Sequence, residues 1–516
     1  MRLVIVSNRL PITVKEAGGN LVYEDSIGGV ATGIKSYLKN LDNRSFQGIN
    51  EYIWVGWPGN EIPDFAKEKV KKELFSLYNS YPVFLEKQEI DKFYLGFSNK
   101  TIWPLFHGFK NLVDWQGEEY DKYIDVNKKF CNALLKILRK DDLIWVHDYH
   151  LLLLPKLLRS KLPDSQIGFF LHIPLPGFES LKQIPQYAIS SLIDGILGAN
   201  LIGFHTTEYK QNFLGAIRFF TNSDTSSGYV LSKNYPVKTQ VYPMSIDFQN
   251  FNQEASSVKV QKVKNSLQKE YGHYRYILSM DRLDYTKGVI EKLKAYNLFL
   301  KNNPNYHKKV KLILILVPSR AEIDSYKKTR EKIEVLTEII NQKYRKNNWE
   351  PITYKYRSLP FSSIVAHYLI SDVALITPIK DGMNLIAKEF IASKVDKKGV
   401  VILSNKAGAA KELTKSLLVD PLNIGQIAES ITTALNMTEA EQEYRLSLMQ
   451  QYLMNNNITS WADTFITDLK LSGSLQQIFH TKHILLACLH FSYMLLSAFA
   501  PSEQTNFTRT HLQTNT

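Results

Sequence analysis

The sequence predicts an α/β protein with two parallel sheets. Short apolar runs recur along the first half of the chain, each followed by a loop and a helical pattern, and this alternation restarts in the second half. Such alternation is typical of parallel sheets buried on both faces. The runs lie at residues 2–7, 52–57, 143–147, 167–172 and 201–205, and then at 276–280, 312–317, 352–356, 373–377 and 400–404.

The length of 516 residues, 44% of them hydrophobic, is enough for two substantial domains. Residues 252–264, between the two sets of strands, are polar and helix-like. We therefore place the domain boundary near residue 246, which gives a first domain at 1–245 and a second at 246–454. We expect a helix at about 455–472 to pack back on the first domain.

The net charge of +13 favours anionic partners, which include nucleic acid, acidic lipid and phosphorylated small molecules. Much of the excess lies at 67–73 and 343–349, where solvated helix faces explain it. Neither zinc-finger spacing nor an aromatic RNA-binding signature occurs. We therefore predict small-molecule substrates and no nucleic-acid partner.

The cysteines and the termini bear on location. The two cysteines, Cys131 and Cys488, lie in apolar surroundings and suggest no disulfide framework, so we expect a reducing, cytoplasmic compartment. Four consecutive apolar residues after Arg2 are too few for a signal-peptide core. The tail at 473–516 contains 17 uncharged residues at 484–500, and a membrane anchor, a packed helix and a partner-binding helix stay open for it. A homo-oligomer also stays open.

Ligands of open parallel sheets bind beyond the carboxyl ends of the strands, where helix N-termini favour anions. Two facing sheets would share one cleft. In the first domain, "SNRLP" places Arg9 at a strand end, and Gly28 and Gly29 open a helical pattern where the backbone can approach a ligand closely. A structural glycine turn is the alternative.

The second domain places three cations at strand ends. "MDRLDYTKG" puts Arg282 and Lys287 five residues apart before a helix that follows Gly288, and "VPSR" adds Arg320. Two cations and a helix N-terminus suit a diphosphate. The alternative is that these cations face solvent.

The segment "DGMNLIAKEF" follows the apolar run that ends at residue 379. The amides of residues 382–385 can hold phosphate oxygens at the start of a helix, whereas the anionic Asp381 would accept sugar hydroxyls. Glu389 can accept two ribose hydroxyls, as acids do in dinucleotide-binding folds. A surface ion pair is its alternative, but the positions three and four residues away carry no cation.

Histidines cluster at two strand ends of the first domain. "WVHDYHL" contains His147, Asp148 and His150, and "FFLHIPLP" contains His172. Metal binding needs three or four converging ligands with defined spacing, and no such set is evident, so we predict neither a metal nor another cofactor.

These motifs, together with "FSNKTIWPLFH", resemble the trehalose-6-phosphate synthases, which are retaining glycosyltransferases of family 20. The resemblance extends from residue 2 through "GAAKEL" (408–413) to "WADTFITDLK" (461–470). It implies the GT-B fold, in which two Rossmann-like domains face each other across an interdomain cleft. The phosphatase domain that is fused to some members has no counterpart in the sequence.

By this resemblance, the residues that would hold glucose 6-phosphate are Arg9, Tyr94, Trp103, Asp148 and Arg320. Those that would hold the nucleotide-glucose are Gly29, Arg282, Lys287, Asp381, Gly382, Met383, Asn384, Leu385 and Glu389. The catalytic set would be Arg282, Lys287, Asp381 and His172, with His172 on the donor glucose.

The implied activity is transfer of glucose from a nucleotide-glucose, UDP-glucose before ADP- or GDP-glucose, to glucose 6-phosphate, which gives α,α-trehalose 6-phosphate. Because no carboxylate nucleophile is evident, a front-face displacement is expected, with cations stabilising the leaving diphosphate. Two alternatives stay open: transfer to glycerol 3-phosphate by a glucosylglycerol-phosphate synthase, and a non-catalytic relative that senses sugar phosphates.

Overall fold

The computed structural model describes residues 1–17, 20–26, 28–41, 46–221, 225, 228–232 and 235–474. Its first half contains an eight-stranded sheet in the order β5-β4-β1-β6-β7-β8-β10-β9. Every neighbouring pair is parallel except β10 and β9. The strands are β1 (Arg2–Arg9), β4 (Glu51–Trp57), β5 (Ser80–Pro82), β6 (Leu143–His147), β7 (Gln166–Leu171), β8 (Leu201–Phe204), β9 (Tyr229–Ser232) and β10 (Tyr235–Val241).

Between the first strand and Gly28 the chain forms two strands that the apolar runs of the sequence do not predict. The chain forms an antiparallel hairpin there, with β2 (Ile12–Ala17) and β3 (Asn20–Asp25). Residues of β3 are partly or fully exposed, so the hairpin carries no apolar run of the kind that marks a central strand.

The second half contains a six-stranded, fully parallel sheet in the order β13-β12-β11-β14-β15-β16. Counted from its own first strand, this is the 3-2-1-4-5-6 order of the doubly wound Rossmann fold. The first sheet follows the same order through β8. The strands are β11 (Arg275–Arg282), β12 (Val310–Val317), β13 (Ile352–Tyr356), β14 (Val373–Ile376), β15 (Val400–Ser404) and β16 (Leu417–Val419). The predicted fold class, with two Rossmann-like units, is confirmed.

Helices cover both faces of each sheet. Those in the first half are α1 (Gly29–Leu41), α2 (Asp64–Tyr78), α3 (Lys87–Glu89), α4 (Trp103–His107), α5 (Gly117–Leu135), α6 (Leu154–Lys161), α7 (Phe178–Leu181), α8 (Gln186–Ile196) and α9 (Thr207–Thr221), with a π-helical segment at Ile90–Ile102. Those in the second half are α10 (Phe248–Ala255), α11 (Val258–Tyr271), α12 (Val289–Asn302), α13 (Asp324–Tyr344), α14 (Phe361–Ile370), α15 (Leu385–Ser393), α16 (Ile424–Asn436) and α17 (Glu439–Asn455), and residues 458–474 are helical as well.

The core explains why the strands read as continuous apolar runs. Along β1, Val4 packs into the apolar layer on one face of the sheet, whereas its neighbours Leu3 and Ile5 pack into the layer on the other face. In β11, Leu278 and Ile277 likewise pack into the apolar layers on opposite faces of the second sheet. Since both faces are covered, successive residues are apolar instead of alternating with polar ones.

We propose a domain boundary between residues 245 and 246. Met244 packs in the core of the first sheet, whereas Ile246 packs in the core of the second. The C-terminal segment returns to this boundary, where the amide of Ile458 donates to the carbonyl of Ile246 at 2.9 Å. In helix 458–474, Phe465 then stacks on Trp145 of β6 with ring centroids 4.4 Å apart.

None of the helices in the described ranges is long and apolar enough to span a membrane. The apolar stretch at 484–500 and Cys488 lie outside the described residues. Cys131 is buried and makes no disulfide. The cytoplasmic location and the homo-oligomer stay predictions.

Phe465→Ala should destabilise the protein by about 3–5 kcal/mol, because it leaves a cavity against Trp145 and the close-packed Gly168 and Gly203. Urea denaturation followed by fluorescence measures the change. Thr464→Ala, at an exposed position of the same helix, is the matched control and should change the free energy of unfolding by less than about 0.5 kcal/mol. Equal effects of the two substitutions would contradict the packing of this helix on the first sheet.

Candidate active site

The predicted site residues lie at the point in each sheet where the strand order reverses. In the first sheet, Arg9 ends β1 and Asp148 follows the neighbouring β6. In the second, Arg282 ends β11 and Asp381 follows β14 beyond a short loop. Doubly wound sheets bind their ligands at such a point, outside the carboxyl ends of the strands, because helices leave opposite faces of the sheet there.

The two sheets meet at Gly382, where their backbones are in close contact. A Cβ added at Gly382 would lie 2.1 Å from the carbonyl oxygen of His172, which follows β7 of the first sheet. On the other side, a Cβ at Gly408 would lie 2.1 Å from the carbonyl oxygen of Gly382. Tyr209 of α9 donates from its hydroxyl to the carbonyl of Asp381 at 3.1 Å. Only glycine fits at this contact between the two halves.

Lys287 is buried and pairs with Asp381 across the mouth of the second sheet, with Nζ 2.5 Å from Oδ2. The side-chain amide of Asn384 also donates to Asp381, at 3.1 Å, while its oxygen caps α15 by accepting from the amide of Ala387. Burial alone would raise the pKa of Asp381, but Lys287 and Asn384 hold it below its ordinary value. The carboxyl is therefore ionised at neutral pH.

The backbone amides of residues 382–385 have no hydrogen-bond acceptor within the described part of the chain. Two carbonyls of the same loop are occupied, since the amide of Gly408 donates to Asp381 and that of Ala409 donates to Met383. The loop thus presents donors near Lys287, which is the arrangement expected of an anion-binding helix start. The side chain of Met383 packs into the core of the second sheet, so only its backbone can serve a ligand.

The side chain of Arg320 extends from the second domain and contacts the first. Its guanidinium lies on the ring of Trp103 at 4.0 Å and donates to the hydroxyl of Tyr149 at 3.0 Å, and both of these aromatic residues belong to the first domain. Tyr326 and Asp284 contact Arg320 from the second domain. Within the described chain, the indole Nε1 of Trp103 has no hydrogen-bond partner.

Arg282 lies near the same ring, with its guanidinium carbon 5.7 Å from the centroid of Trp103. A predicted donor cation and a predicted acceptor cation therefore share one aromatic side chain. Asp284 offsets part of their charge: burial alone would raise its pKa, but Arg320, Lys287 and Arg282 hold it below its ordinary value.

Arg9 lies at the far end of a continuous line of rings. Its guanidinium is 5.5 Å from the centroid of Trp57, which lies 5.5 Å from the ring of Tyr94. Tyr94 stacks on His150 at 5.9 Å, and His150 contacts Tyr149, the partner of Arg320. Arg9 and Arg320 thus lie at the two ends of one aromatic surface, and the predicted acceptor residues lie together along it.

Asp148 has a positive φ of 74° and follows β6 directly. Its carboxylate accepts from the amide of His172 at 3.2 Å. Burial raises the pKa of Asp148 to about 6, against the opposing effect of nearby Arg282 and Arg320. Its protonation state therefore changes close to neutral pH.

The ring of His172 is buried beneath the contact between the two halves. Its Nε2 lies 3.0 Å from Nδ1 of His147, and its Nδ1 has no partner within the described residues. Burial lowers the pKa of His172 well below its ordinary value and lowers that of His147 to about 3, so both rings are neutral.

Gly29 and Glu389 complete the predicted donor residues. A Cβ at Gly29 would lie 3.0 Å from a methyl carbon of Leu385, so the first domain covers the start of α15 at this glycine. Glu389, about one turn further along α15, accepts at 2.7 Å from the hydroxyl of Tyr368 on α14. Contacts between the two halves thus involve Gly29, Trp103, His172, Arg320 and Gly382, whereas the contacts of Glu389 and Arg9 lie within their own halves.

Sequence reasoning missed the side chains that support this cluster. They are Asp284, Tyr149, Tyr326, Tyr368 and Asn99, which accepts from the hydroxyl of Tyr149 at 2.8 Å. Asp284, Tyr149 and Asn99 lie inside sequence motifs quoted above, so a signal existed for them. In the described ranges, no group of three or more His, Cys, Asp and Glu side chains is arranged to hold a metal ion.

Residues 1–471 match the sequence profile of glycosyltransferase family 20. The chain belongs to this family. A bifunctional trehalose-6-phosphate synthase/phosphatase of Thermoproteus tenax is 39% identical over 477 residues, which are 92% of the chain and 64% of that relative. A UDP-forming α,α-trehalose-phosphate synthase of Candida albicans is 35% identical over 474 residues, which are 91% of the chain and 97% of that relative.

Solved structures agree with this family membership. The UDP-forming α,α-trehalose-phosphate synthase of Burkholderia xenovorans in complex with glucose-6-phosphate gives a TM-score of 0.81 at 30% identity, over 91% of the chain and 100% of that structure. An E. coli structure bound with UDP-2-fluoro glucose gives 0.80 at 33% identity, over 91% and 99%. The chain spans just under two thirds of the Thermoproteus tenax relative and 63% of another from Dictyostelium discoideum. The predicted family is confirmed.

Gly382→Ala should lower activity by about 100-fold, because the added methyl would push His172 and the loop at 381–384 apart by an ångström or more. Steady-state kinetics on the purified variant measures the loss. Gly117→Ala, where a Cβ meets nothing within 4 Å, is the matched control and should retain full activity. A fully active Gly382→Ala enzyme would show that the two halves need not touch here.

Proposed function

We propose that this family 20 member transfers glucose from a nucleotide-glucose, with UDP-glucose as the first candidate, to glucose 6-phosphate. The anomeric configuration would be retained, and the products would be α,α-trehalose 6-phosphate and a nucleoside diphosphate. The observation that carries the proposal is the ring of Trp103, which has Arg320 at 4.0 Å and Arg282 at 5.7 Å. Two cations that lie on the same ring suit a reaction in which a diphosphate and a sugar phosphate meet.

The donor would lie against the second domain. Lys287 and Arg282 would bind the diphosphate with the unpaired amides of residues 382–385. Asp381, which is ionised, would accept hydroxyls of the glucose, and Glu389 would accept hydroxyls of the ribose. Gly29 would cover the donor from the first domain, since it already lies against Leu385.

The acceptor would lie on the aromatic surface of the first domain. Arg9, Tyr94, Trp103 and Arg320 would surround its phosphate, and the carboxylate of Asp148 would accept hydroxyls of the sugar. Support comes from the line of rings that joins these residues and from the position of Asp148 near Arg282 and Arg320 of the second domain.

The chemistry requires one bond to break and one to form at the same face of the donor sugar. The bond from C1 to the diphosphate oxygen breaks, and C1 bonds to the anomeric oxygen of glucose 6-phosphate. A phosphate oxygen of the leaving diphosphate takes the proton of that hydroxyl. Lys287 and Arg282 stabilise the charge that develops on the leaving group, and the closely packed domains keep the two substrates oriented.

Neutral His172 would contribute through its position at the junction of the domains. Its carbonyl oxygen contacts Gly382 and its amide donates to Asp148, so its backbone connects the donor loop with the acceptor carboxylate. With its pKa lowered by burial, the ring is not a proton donor at neutral pH.

The deciding experiment incubates the purified protein with UDP-, ADP- or GDP-glucose and with either glucose 6-phosphate or glycerol 3-phosphate. The products are then identified by mass spectrometry and proton NMR. We expect α,α-trehalose 6-phosphate, formed fastest with UDP-glucose. Glucosylglycerol phosphate as the main product would indicate the alternative synthase, and no product from any pair would indicate a non-catalytic relative.

Lys287→Ala and Arg9→Ala should separate chemistry from acceptor binding. Loss of Lys287 removes a cation from the leaving diphosphate, so kcat should fall by about 100- to 1,000-fold. Loss of Arg9 should chiefly raise the KM for glucose 6-phosphate and leave the KM for the donor nearly unchanged. Steady-state kinetics with each substrate varied measures both, and an unchanged kcat in Lys287→Ala would contradict its role.

The affinity for glucose 6-phosphate should depend on pH through Asp148. Because burial raises the pKa of Asp148 to about 6, the carboxylate is ionised above pH 6, and its protonation below pH 6 should raise the KM for the acceptor. Well below pH 6 we expect a rise of about tenfold per pH unit. Asp148→Asn should lack this dependence. The ionisation of the sugar phosphate affects both enzymes alike, so the ratio of their KM values isolates Asp148, and a pH-independent ratio would contradict the assignment.

A further inference from the structure

Tyr368 lies entirely within the second domain and has no place in the mechanism above. Its side chain is 1% exposed on α14, and its hydroxyl donates to Oε2 of Glu389 at 2.7 Å. Burial and the nearby Glu389 raise the pKa of Tyr368 well above its ordinary value, so the hydroxyl keeps its proton and remains a donor at every physiological pH.

The backbone of Tyr368 is fixed by Lys394, the residue directly after α15. The buried ammonium of Lys394 donates to the carbonyls of Leu369 at 3.1 Å and Ser371 at 3.0 Å, and lies 3.5 Å from the carbonyl of Tyr368. These carbonyls lie at the C-terminal end of α14, where an ammonium group interacts favourably with the helix. The ring of Phe390 packs edge-on against Tyr368 with centroids 6.0 Å apart. Helices α14 and α15 are thus tied at both the backbone and the side chain of Tyr368.

Among the described residues, no cation is positioned to orient Glu389. Within the described chain it makes no salt bridge, and the adjacent Lys388 instead pairs with Glu412 and donates to the carbonyl of Met244. Burial raises the pKa of Glu389, and the hydrogen bond from Tyr368 acts in the opposite direction. The described residues provide no partner for Oε1 of Glu389, and the side chain is partly exposed.

We propose that Tyr368 is the positioning residue of the ribose subsite: its hydroxyl occupies Oε2 of Glu389 and leaves Oε1 directed at the ribose hydroxyls of the nucleotide donor. The inference rests on the proposed function, in which Glu389 accepts from the ribose. A neutral donor suits this task better than a cation, because it fixes the carboxylate without removing the charge that strengthens its hydrogen bonds to the ribose. Tyr368 would therefore set how strongly the site distinguishes ribose from deoxyribose.

Calorimetric titration of the full-length protein tests this without requiring turnover. UDP, ADP and GDP are titrated first, and the tightest binder is then compared with its 2′-deoxyribose counterpart. We expect the wild-type protein to bind the ribonucleotide at least tenfold more tightly. Tyr368→Phe, which removes only the hydroxyl, should weaken ribonucleotide binding by about tenfold and leave binding of the deoxyribonucleotide nearly unchanged.

Tyr296→Phe is the matched control, because Tyr296 is equally buried in the second domain and its hydroxyl donates to the carbonyl of Pro351 at 3.1 Å. It should leave the affinities for both nucleotides unchanged. The same titrations in a Glu389→Gln background give a second test. There the wild-type preference for ribose should already be reduced, and adding Tyr368→Phe should change it by less than twofold.

The inference is wrong if Tyr368→Phe weakens both nucleotides equally, if it changes neither affinity, or if it acts as strongly without Glu389 as with it. It is also wrong if the wild-type protein binds none of the three nucleotides. A protein that shows the expected ribose preference but forms no disaccharide phosphate would support the inference and contradict the proposed function. The inference about Tyr368 and the proposed function can therefore be refuted independently.

Discussion

The close contact of Gly382 with the carbonyl oxygen of His172 is the constraint on which the rest of the site depends. It brings the backbones at the carboxyl ends of the two parallel sheets into direct contact. Gly408 repeats the requirement on the other side of the same loop. A side chain at Gly382 would separate the loop that carries Asp381 from the strand end that carries His172, and Arg282 and Arg320 of the second domain would no longer lie on the ring of Trp103 in the first.

Charge balance explains why so many cations can gather at this contact. Lys287 and Arg320 are both largely removed from water, which is costly unless each is paired and hydrogen-bonded. Asp381 neutralises the first, and Asp284 lies beside the second. Phosphates entering the cleft would compete with these carboxylates for the same cations. The protein thus keeps its cations in place by internal ion pairs before any substrate binds.

Most of the fold could be predicted from the sequence, because strands buried on both faces appear as uninterrupted apolar runs. The hairpin of β2 and β3 could not, since its exposed residues interrupt the apolar pattern. Candidate positions such as Arg9, Asp148, Arg282 and His172 could be named from the sequence because each ends or directly follows such a strand. The roles of Tyr326 and Tyr368 were not predictable, because a buried tyrosine looks the same in a sequence whether its hydroxyl completes a core or orients a neighbour. Asn99 lies in a quoted motif, but its partner could not be read from the sequence. Their roles depend on pairings between distant segments, such as Asn99 with Tyr149.

Backbone strain at the site follows from the same geometry. Asp148, Arg320 and Asn384 all have positive φ values, 74°, 49° and 73°, which side chains other than glycine rarely adopt. Such conformations cost about 1–3 kcal/mol each. Glycine would relieve the strain at each position, but it would remove the carboxylate beside His172, the guanidinium on Trp103 and the cap of α15. Positive φ also occurs at Gln47, Asn79, Lys308, Asn347 and Lys397. At Asp148, Arg320 and Asn384, however, the strained residue carries a side chain that acts at the interface, and the two-sided cores of both sheets supply the stability that offsets the strain.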